Sequence, residues 1–520
     1  MLNENIASAL DRGVALFGTN EAVVDGQTRW TYAELGRRVR SFDGALDSFG
    51  LAKGDVVGVL ALNSSAHLLA WLGVPRSGRV LNEINTRLSA AELAFIIDDS
   101  SARALIVDDA FLEQGRVLLK ECDTLDRLIY AGAQECPADC DSLEAMMTAD
   151  VPAREVAVGG DDVAGVFYTG GTTGRQKGAL LTHANLVANA KHALICLQYS
   201  EHDRYLHAGP MFHLADGAST VALTWVGGTH VIVPGFTPKS WLETVGAEKV
   251  TRAMLVPTMI TMLLAEGIPA DADISSLTSV LYGASPMPQT VLKQAFEVLG
   301  CDLCQVYGMT EAAPIVTFMT HEDHRRGVAD DDPVAAARLR SAGRPAVGVD
   351  LEIRDGEGRQ VEAGEVGEIV IRGANIMAGY LNRPEETAAV LPGDGWYRSG
   401  DMGYVDEGGY VFVVDRLKDM IISGGENVYS TEVENALYRH ADVQEVAVFG
   451  VPDEQWGEAV HAAVTLRPGS VASAQELRDH TRELIAGYKV PRVVHLIDQP
   501  LPKSGAGKIL KRNLRDQFSS

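Results

Sequence analysis

The run Tyr168-Thr169-Gly170-Gly171-Thr172-Thr173-Gly174-Arg175-Gln176-Lys177-Gly178-Ala179-Leu180-Leu181-Thr182-His183 decides how this chain is read. An apolar stretch, Val163 to Tyr168, delivers the chain into Thr169 and the glycines, and Ala179 to Leu181 follows as a second strand-like stretch. Between them the glycines let backbone amides converge on an anion, three threonine hydroxyls add donors, and Lys177 adds a fixed positive charge. That is the composition of a phosphate cradle. A Walker A loop needs Gly-Lys followed by Ser or Thr and then a helix. Here Lys177 follows Gln176 and precedes Gly178, which disfavours a P-loop kinase or ATPase. Taken alone, the loop also fits a structural Gly/Thr turn.

The surroundings narrow the class. At 520 residues the chain exceeds one ordinary core, so two or more domains are expected. It is 46% apolar and 22% charged, as globular proteins are, and its net charge of −25 repels nucleic-acid backbones and anionic lipid. No nucleic-acid partner is expected. The most hydrophobic long stretch, Val57 to Val74, is broken by Asn63, Ser64, Ser65 and His67, so it reads as a core strand and helix rather than an integral membrane segment. Met1 to Gly13 lack a basic cluster before an apolar run, and a cytoplasmic location is the expectation. Cys301 and Cys304 form a CxxC without metal-site partners, and their apolar flanks, including Val298 and Leu299, read as a buried strand.

Alternating strand and helix patterns dominate the first part, as in an α/β domain with a largely parallel sheet. Thr31 and Glu34 spell a capping box before a helix that Gly50 ends. From Gly367 short strands, Glu368 to Arg372, Trp396 to Arg398 and Tyr410 to Val414, alternate with Gly, Asn and Asp turns, which suggests a distorted, barrel-like β portion. After Asp415 the texture becomes compact α+β, with Thr431 and Glu434 as another capping box. The division expected is therefore a large α/β domain over 1–415, a hinge at 416–418 and a small mobile α+β domain over 419–520.

The quoted run closely resembles the signature of the adenylate-forming superfamily: acyl-CoA synthetases, luciferase and the adenylation domains of peptide synthetases. Further motifs follow in the family's order: Tyr282-Gly283-Ala284-Ser285-Pro286, Gln305-Val306-Tyr307-Gly308-Met309-Thr310-Glu311, Ser399-Gly400-Asp401, Asp415-Arg416-Leu417-Lys418-Asp419 and Pro502-Lys503-Ser504-Gly505-Ala506-Gly507-Lys508-Ile509. The resemblance covers nearly the whole chain. It departs at Gly170, where the family usually has Ser, and at Gln176, where it usually has Pro. The first removes a hydroxyl donor and the second a φ restraint, while the loop amides and Lys177 remain.

The resemblance implies ATP, magnesium and coenzyme A as cofactors, and a role for each matched residue. Thr169, Gly170, Gly171, Thr172, Thr173, Gly174 and Lys177 would hold the phosphates. Glu311, after Thr310, matches the magnesium-associated carboxylate. Gly283, Ala284, Ser285, Tyr307 and Gly308 would enclose the adenine, and Asp401 and Arg416 would bind the ribose or α-phosphate. Lys508 matches the catalytic lysine, and Lys503 reads as a solvated neighbour. His213 matches a position between acid pocket and thiol tunnel, and His183 reads as structural. Lys418 matches the hinge about which the C-terminal domain turns between two half-reactions. Gly424 and Gly425 would line the pantetheine channel, and Trp456 would meet the nucleotide end of coenzyme A.

The activity so implied is ATP-dependent ligation of a carboxylic acid to coenzyme A through an acyl adenylate. The pocket segment from His213 through Leu223, with Val256, Pro257, Tyr282, Gly308 and Met309, is apolar and fits a fatty, branched alkyl or aryl acid, with fatty or branched alkyl chains preferred. Rivals are loading of a carrier-protein thiol, a luciferase-like oxidase and a non-catalytic nucleotide-binding relative. The run Ile421 to Asn427 looks like CoA ligases, and the joint presence of Lys177, Glu311, Asp401, Arg416 and Lys508 argues for catalysis. A homodimer is left open.

Overall fold

The computed structural model describes residues 5–154, 156–169, 176–285, 287–329, 332–424, 426–453, 455–503 and 509–518. Gly170, Gly171, Thr172, Thr173 and Gly174 of the glycine-rich loop, Gly425 and Lys508 lie outside them. The chain forms two compact units: Met1–Asp350 with Ile371–Tyr397, and Leu351–Val370 with Arg398–Ser520. Among the described residues the strands make four sheets, and no helix is long and apolar enough to cross a membrane.

Two large sheets organise the first unit. One runs Gly379–Tyr380, Lys177–Thr182, Val163–Thr169, Val80–Glu83, Val56–Leu60, Ala102–Val107, Arg127–Tyr130, Asp141–Ser142. Val80–Glu83, Val56–Leu60 and Ala102–Val107 pair in parallel, and the last two read as largely apolar runs, as strands covered on both faces do. Leu60, Ile97, Val107 and Leu128 meet in the resulting core. The other sheet has Arg204–His207, Arg252–Leu255, Ser279–Gly283 and Asp302–Gly308 at its centre, also parallel. Its core gathers Trp241, Leu255, Tyr282 and Leu303.

Local rules act as the sequence suggests at Thr31: the Glu34 amide donates to the Thr31 hydroxyl at 3.3 Å and the Thr31 amide to the Glu34 carboxylate at 2.8 Å, starting helix Tyr32–Ser48. They are overridden elsewhere. Val298 and Leu299 end a helix, Gln289–Leu299, rather than opening a strand; Gly300, at φ 62°, stops that helix, and the strand begins at Asp302.

The remaining two sheets draw most of their residues from the second unit. Strands Val349–Arg354, Gly367–Gly373, Tyr397–Val405 and Val411–Arg416 form a four-stranded sheet where a barrel-like portion was expected. The C-terminal sheet pairs Val443–Asp453 with Gly457–Leu466 along their length, over a core of Val446, Val448, Val460 and Leu477. The capping box expected at Thr431 and Glu434 is absent. Helix Ser430–Tyr438 starts from Tyr429 without a side-chain cap from that residue, and the Asp415 carboxylate takes the Ser430 amide instead. Glu434 is thereby free to turn inward, accepting from the Val448 amide at 2.8 Å and pairing with Lys511 Nζ at 2.7 Å.

Burial holds the imidazoles of His183, His192 and His324 down to about 4, against an ordinary value of 6.5. Each stays neutral in the folded protein while the unfolded chain takes up a proton below pH 6.5. The stability these groups contribute is thus complete above that pH and is lost progressively towards pH 4, by up to about 1.4 kcal/mol per pH unit for each histidine. Urea unfolding at pH 7.5, 6 and 5 checks this, and equal stabilities at pH 7.5 and 5 would contradict it.

Candidate active site

Strand Val163–Thr169 pairs antiparallel with Lys177–Thr182, and Thr169 stands opposite Lys177. The glycine-rich loop therefore leaves and re-enters the sheet one cross-strand pair apart. On its inner side Val163–Thr169 runs parallel to Val80–Glu83; on its outer side Lys177–Thr182 takes Gly379–Tyr380, with Tyr380 opposite Ala179. This outer strand brings in a residue the sequence did not single out. Lys177 Nζ lies 5.2 Å from the centre of the Tyr380 ring and 2.9 Å from Glu386 Oε2. The Tyr380 hydroxyl donates to Glu311 Oε1 at 2.9 Å. Burial, reinforced by the Glu311 charge, holds the Tyr380 phenol far above its usual range, so it remains a donor at neutral pH.

Glu311 occupies a 3₁₀ turn, Thr310–Ala312, directly after strand Asp302–Gly308. The Met377 amide donates to the Glu311 carbonyl at 2.9 Å, and Asn375 Nδ2 donates to the carbonyls of Ala312 and Ile315, so the turn is fixed from the same segment that supplies Tyr380. Glu311 Oε2 has no partner among the described residues. No group of three or more His, Cys, Asp or Glu among them forms a metal site. A single carboxylate suits magnesium, a hard cation that keeps most of its shell as phosphate oxygens and water.

The glycines of the two central motifs meet protein rather than open space. A Cβ on Gly283 would stand 2.4 Å from the Val306 carbonyl oxygen, and one on Gly308 would stand 1.8 Å from that of Pro314. Ala284 adopts φ 67°, the left-handed region, and turns the chain out of strand Ser279–Gly283. Ser285 and Tyr307 are half-buried. Tyr282, expected at the pocket, is instead 1% exposed in the core, its hydroxyl 2.9 Å from His324 Nε2. His183 is also fully buried, its Nδ1 accepting from the Ile6 amide at 3.3 Å.

His213 is half-buried and caps helix Leu214–Val226, its Nδ1 accepting from the Ala215 amide at 3.2 Å. An accepting Nδ1 places the ring proton on Nε2. Behind it lies a buried relay absent from the sequence reading: Asp216 meets His207 Nδ1 at 2.6 Å, His207 Nε2 meets His230 Nδ1 at 2.9 Å, and His230 Nε2 meets Thr224 at 3.0 Å. Three isolated histidine and aspartate positions carry no periodic signal that would have joined them.

In the second unit, Asp401 and Arg416 are cross-strand partners, Arg416 Nε lying 3.3 Å from Asp401 Oδ1. Leu417–Asp419 turn immediately afterwards, with Lys418 exposed in the turn. Gly424 sits at φ 63° with its amide donating to the Trp456 carbonyl at 2.8 Å, and a Cβ there would meet the Trp456 ring at 2.8 Å. The Arg492 guanidinium lies 4.4 Å from the centre of that ring. The segment carrying Lys508 is held at its stems: Lys503 pairs with Ile509, and the Leu510 amide donates to the Pro502 carbonyl at 2.8 Å. Lys503, expected to be solvated, is an ion-pair partner of Glu445.

Known proteins resemble the chain over nearly its whole length. The family described as AMP-binding enzyme matches residues 10–381, and the AMP-binding enzyme C-terminal domain matches residues 432–508. A feruloyl-CoA synthase of Amycolatopsis sp is 39% identical over 519 residues, covering 100% of both chains. A 3-[(3aS,4S,7aS)-7a-methyl-1,5-dioxo-octahydro-1H-inden-4-yl]propanoyl:CoA ligase of Rhodococcus jostii is 36% identical over 526 residues, covering 98% of each. The solved structure of o-succinylbenzoate CoA synthetase from Bacillus subtilis with its acyl-adenylate intermediate superposes with a TM-score of 0.84 at 29% identity, covering 99% of this chain and 98% of that one.

Gly308→Ala should destabilise the first unit by roughly 2 kcal/mol, since the added methyl overlaps backbone that cannot rotate away. Urea denaturation measures this; a variant as stable as the parent would show that the turn carrying Glu311 yields freely.

Proposed function

The chain belongs to the AMP-binding enzyme family, and from that premise we propose that it is an ATP-dependent carboxylic acid:coenzyme A ligase working through an acyl adenylate. The observation that carries this reading is the convergence of Lys177 and Glu311 on Tyr380 beside the stems of the glycine-rich loop. In the first step a carboxylate oxygen attacks the α-phosphorus of ATP and pyrophosphate leaves. Two anions must meet, so charge neutralisation and in-line placement supply most of the catalysis. Lys177 exchanges Glu386 for phosphate oxygens when ATP arrives, and the Tyr380 hydroxyl keeps one Glu311 oxygen oriented while the other stays available. Magnesium, when bound, neutralises phosphate charge. Lys508 is assigned to the α-phosphate, Asp401 and Arg416 to the ribose, and Tyr307 to the adenine.

In the second step the thiol of coenzyme A attacks the acyl carbonyl and AMP leaves. We assign Gly424, Gly425 and Trp456 to the thiol and nucleotide path of coenzyme A, His213 to the junction of acid and thiol, and Lys418 to the pivot between an ATP- and acid-binding portion, 1–415, and residues 419–520. The acid is apolar. The activities of these two relatives, both with ring-bearing acids, favour a ring-bearing acid with a short acyl linker over a simple fatty chain.

Acid-dependent exchange of pyrophosphate into ATP, screened over cinnamic, ring-bearing propanoic, branched and fatty acids and followed by thioester formation with coenzyme A, tests the reading. Activity with at least one ring-bearing acid in both assays is expected; no exchange with any acid would overturn it. Lys508→Ala should lower exchange by roughly a thousandfold or more, the size of effect expected when a transition-state charge is removed. It should leave thioester formation from chemically supplied acyl adenylate within a few-fold of the parent. Equal loss in both steps would remove Lys508 from its assigned role.

A further inference from the structure

Asp99 lies in the last turn of helix Ala90–Ser100, where the helix dipole disfavours a carboxylate and no basic residue of that turn offsets it. Its position is therefore accounted for by partners outside the helix. It has two. Oδ2 accepts from the Tyr168 hydroxyl at 2.8 Å, and Oδ1 accepts from the Arg383 guanidinium at 3.1 Å, with the Asp99 side chain only 9% exposed. A third bond fixes the helix end itself: Asn382, at φ 55°, donates its Nδ2 to the Asp99 carbonyl at 2.9 Å, satisfying one of the carbonyls a helix terminus leaves open.

These partners belong to the two walls of one structure. Tyr168 immediately precedes Thr169, the first stem of the glycine-rich loop, and stands opposite Gly178, whose missing side chain makes room for the tyrosine ring. Arg383 and Asn382 belong to the segment that carries Tyr380 and Glu386, the two side chains against Lys177 on the second stem. The same segment is tied to that stem by the Leu381 amide, which donates to the Gly178 carbonyl at 2.8 Å. One carboxylate thus links the first stem to the segment that holds the second.

We propose that Asp99 is a positioning residue for ATP: by tying Tyr168 to Arg383 it holds the first stem against the segment whose Tyr380 and Glu386 flank Lys177, and so fixes how the two stems present Thr169 and Lys177 to the phosphates. This rests on the reading of 169–177 as the phosphate loop. Burial, with the Asp99 charge added, holds the Tyr168 phenol far above its usual range, so the bond persists across working pH. Asp99 touches no reactant itself; its effect is carried by the loop.

The test compares the parent with Asp99→Ala, Asp99→Asn and Tyr168→Phe, measuring the Kd of MgATP by titration calorimetry, the KM of the acid and the thermal melt. Asp99→Ala should weaken MgATP binding roughly tenfold and Tyr168→Phe roughly threefold, as expected for loss of hydrogen bonds to a charged group. Asp99→Asn, which keeps an acceptor for the tyrosine hydroxyl, should fall between the parent and Asp99→Ala. The KM of the acid should stay within twofold throughout. If Asp99→Ala does not fold, Tyr168→Phe decides. Unchanged MgATP affinity in the folded variants overturns the proposal, as does an equal weakening of ATP and acid accompanied by a lowered melt. A parent that binds MgATP but activates no acid would overturn the ligase reading alone, since the Kd comparison still decides the role of Asp99. A parent that binds no MgATP would overturn both.

Discussion

The antiparallel pairing of Val163–Thr169 with Lys177–Thr182 is the constraint on which the candidate chemistry depends. It forces a loop rich in glycine and threonine to begin and end at neighbouring points on a buried sheet. The inner neighbour, Val80–Glu83, anchors the hairpin in the core, and the outer neighbour, Gly379–Tyr380, adds an aromatic side chain beside its lysine. Residues some two hundred positions apart are brought together by two cross-strand pairs. The entropy of closing so long a connection grows only slowly with its length, which makes such a late-arriving edge strand tolerable.

Charged groups are placed by partners rather than by exposure in both units. His67 and Glu83 face each other at 2.6 Å with both side chains fully buried, next to the hairpin's inner strand. Removing one member of such a pair would strand the other in a medium that cannot solvate it. Lys511 and Glu434 play the same part in the second unit, and the Asp415 carboxylate beside them takes the first amide of helix Ser430–Tyr438. Asp415 directly precedes Arg416, so the strand end bearing the proposed ribose contact and pivot is fixed by the helix it caps. The family relationship says which residues to look at; these contacts say how each is held.

What could be read from the sequence divides along physical lines. Patterns internal to one segment were legible: the capping box at Thr31 and Glu34, the apolar parallel strands, and the break of Val57 to Val74 into strand and helix. Patterns that depend on what another segment offers were not. Thr431 and Glu434 have the right spacing for a cap, but Asp415 had already filled the site and Lys511 drew Glu434 inward. Tyr380, Glu386 and Asp99 carry no motif of their own, and become noticeable only when the outer strand docks. Gly283 and Gly308 were expected around the adenine, and what a side chain on them would strike is the carbonyls of Val306 and Pro314.

The central claim is that the acid attacks the α-phosphorus of ATP, and the fate of the carboxylate oxygen tests it directly. With acid labelled in both carboxyl oxygens by ¹⁸O, the bridging oxygen of the acyl adenylate comes from the acid and departs with AMP when the thiol attacks. Mass spectrometry of the products should find AMP carrying one ¹⁸O and pyrophosphate carrying none. Unlabelled AMP, or label in phosphate released beside ADP, would contradict the account.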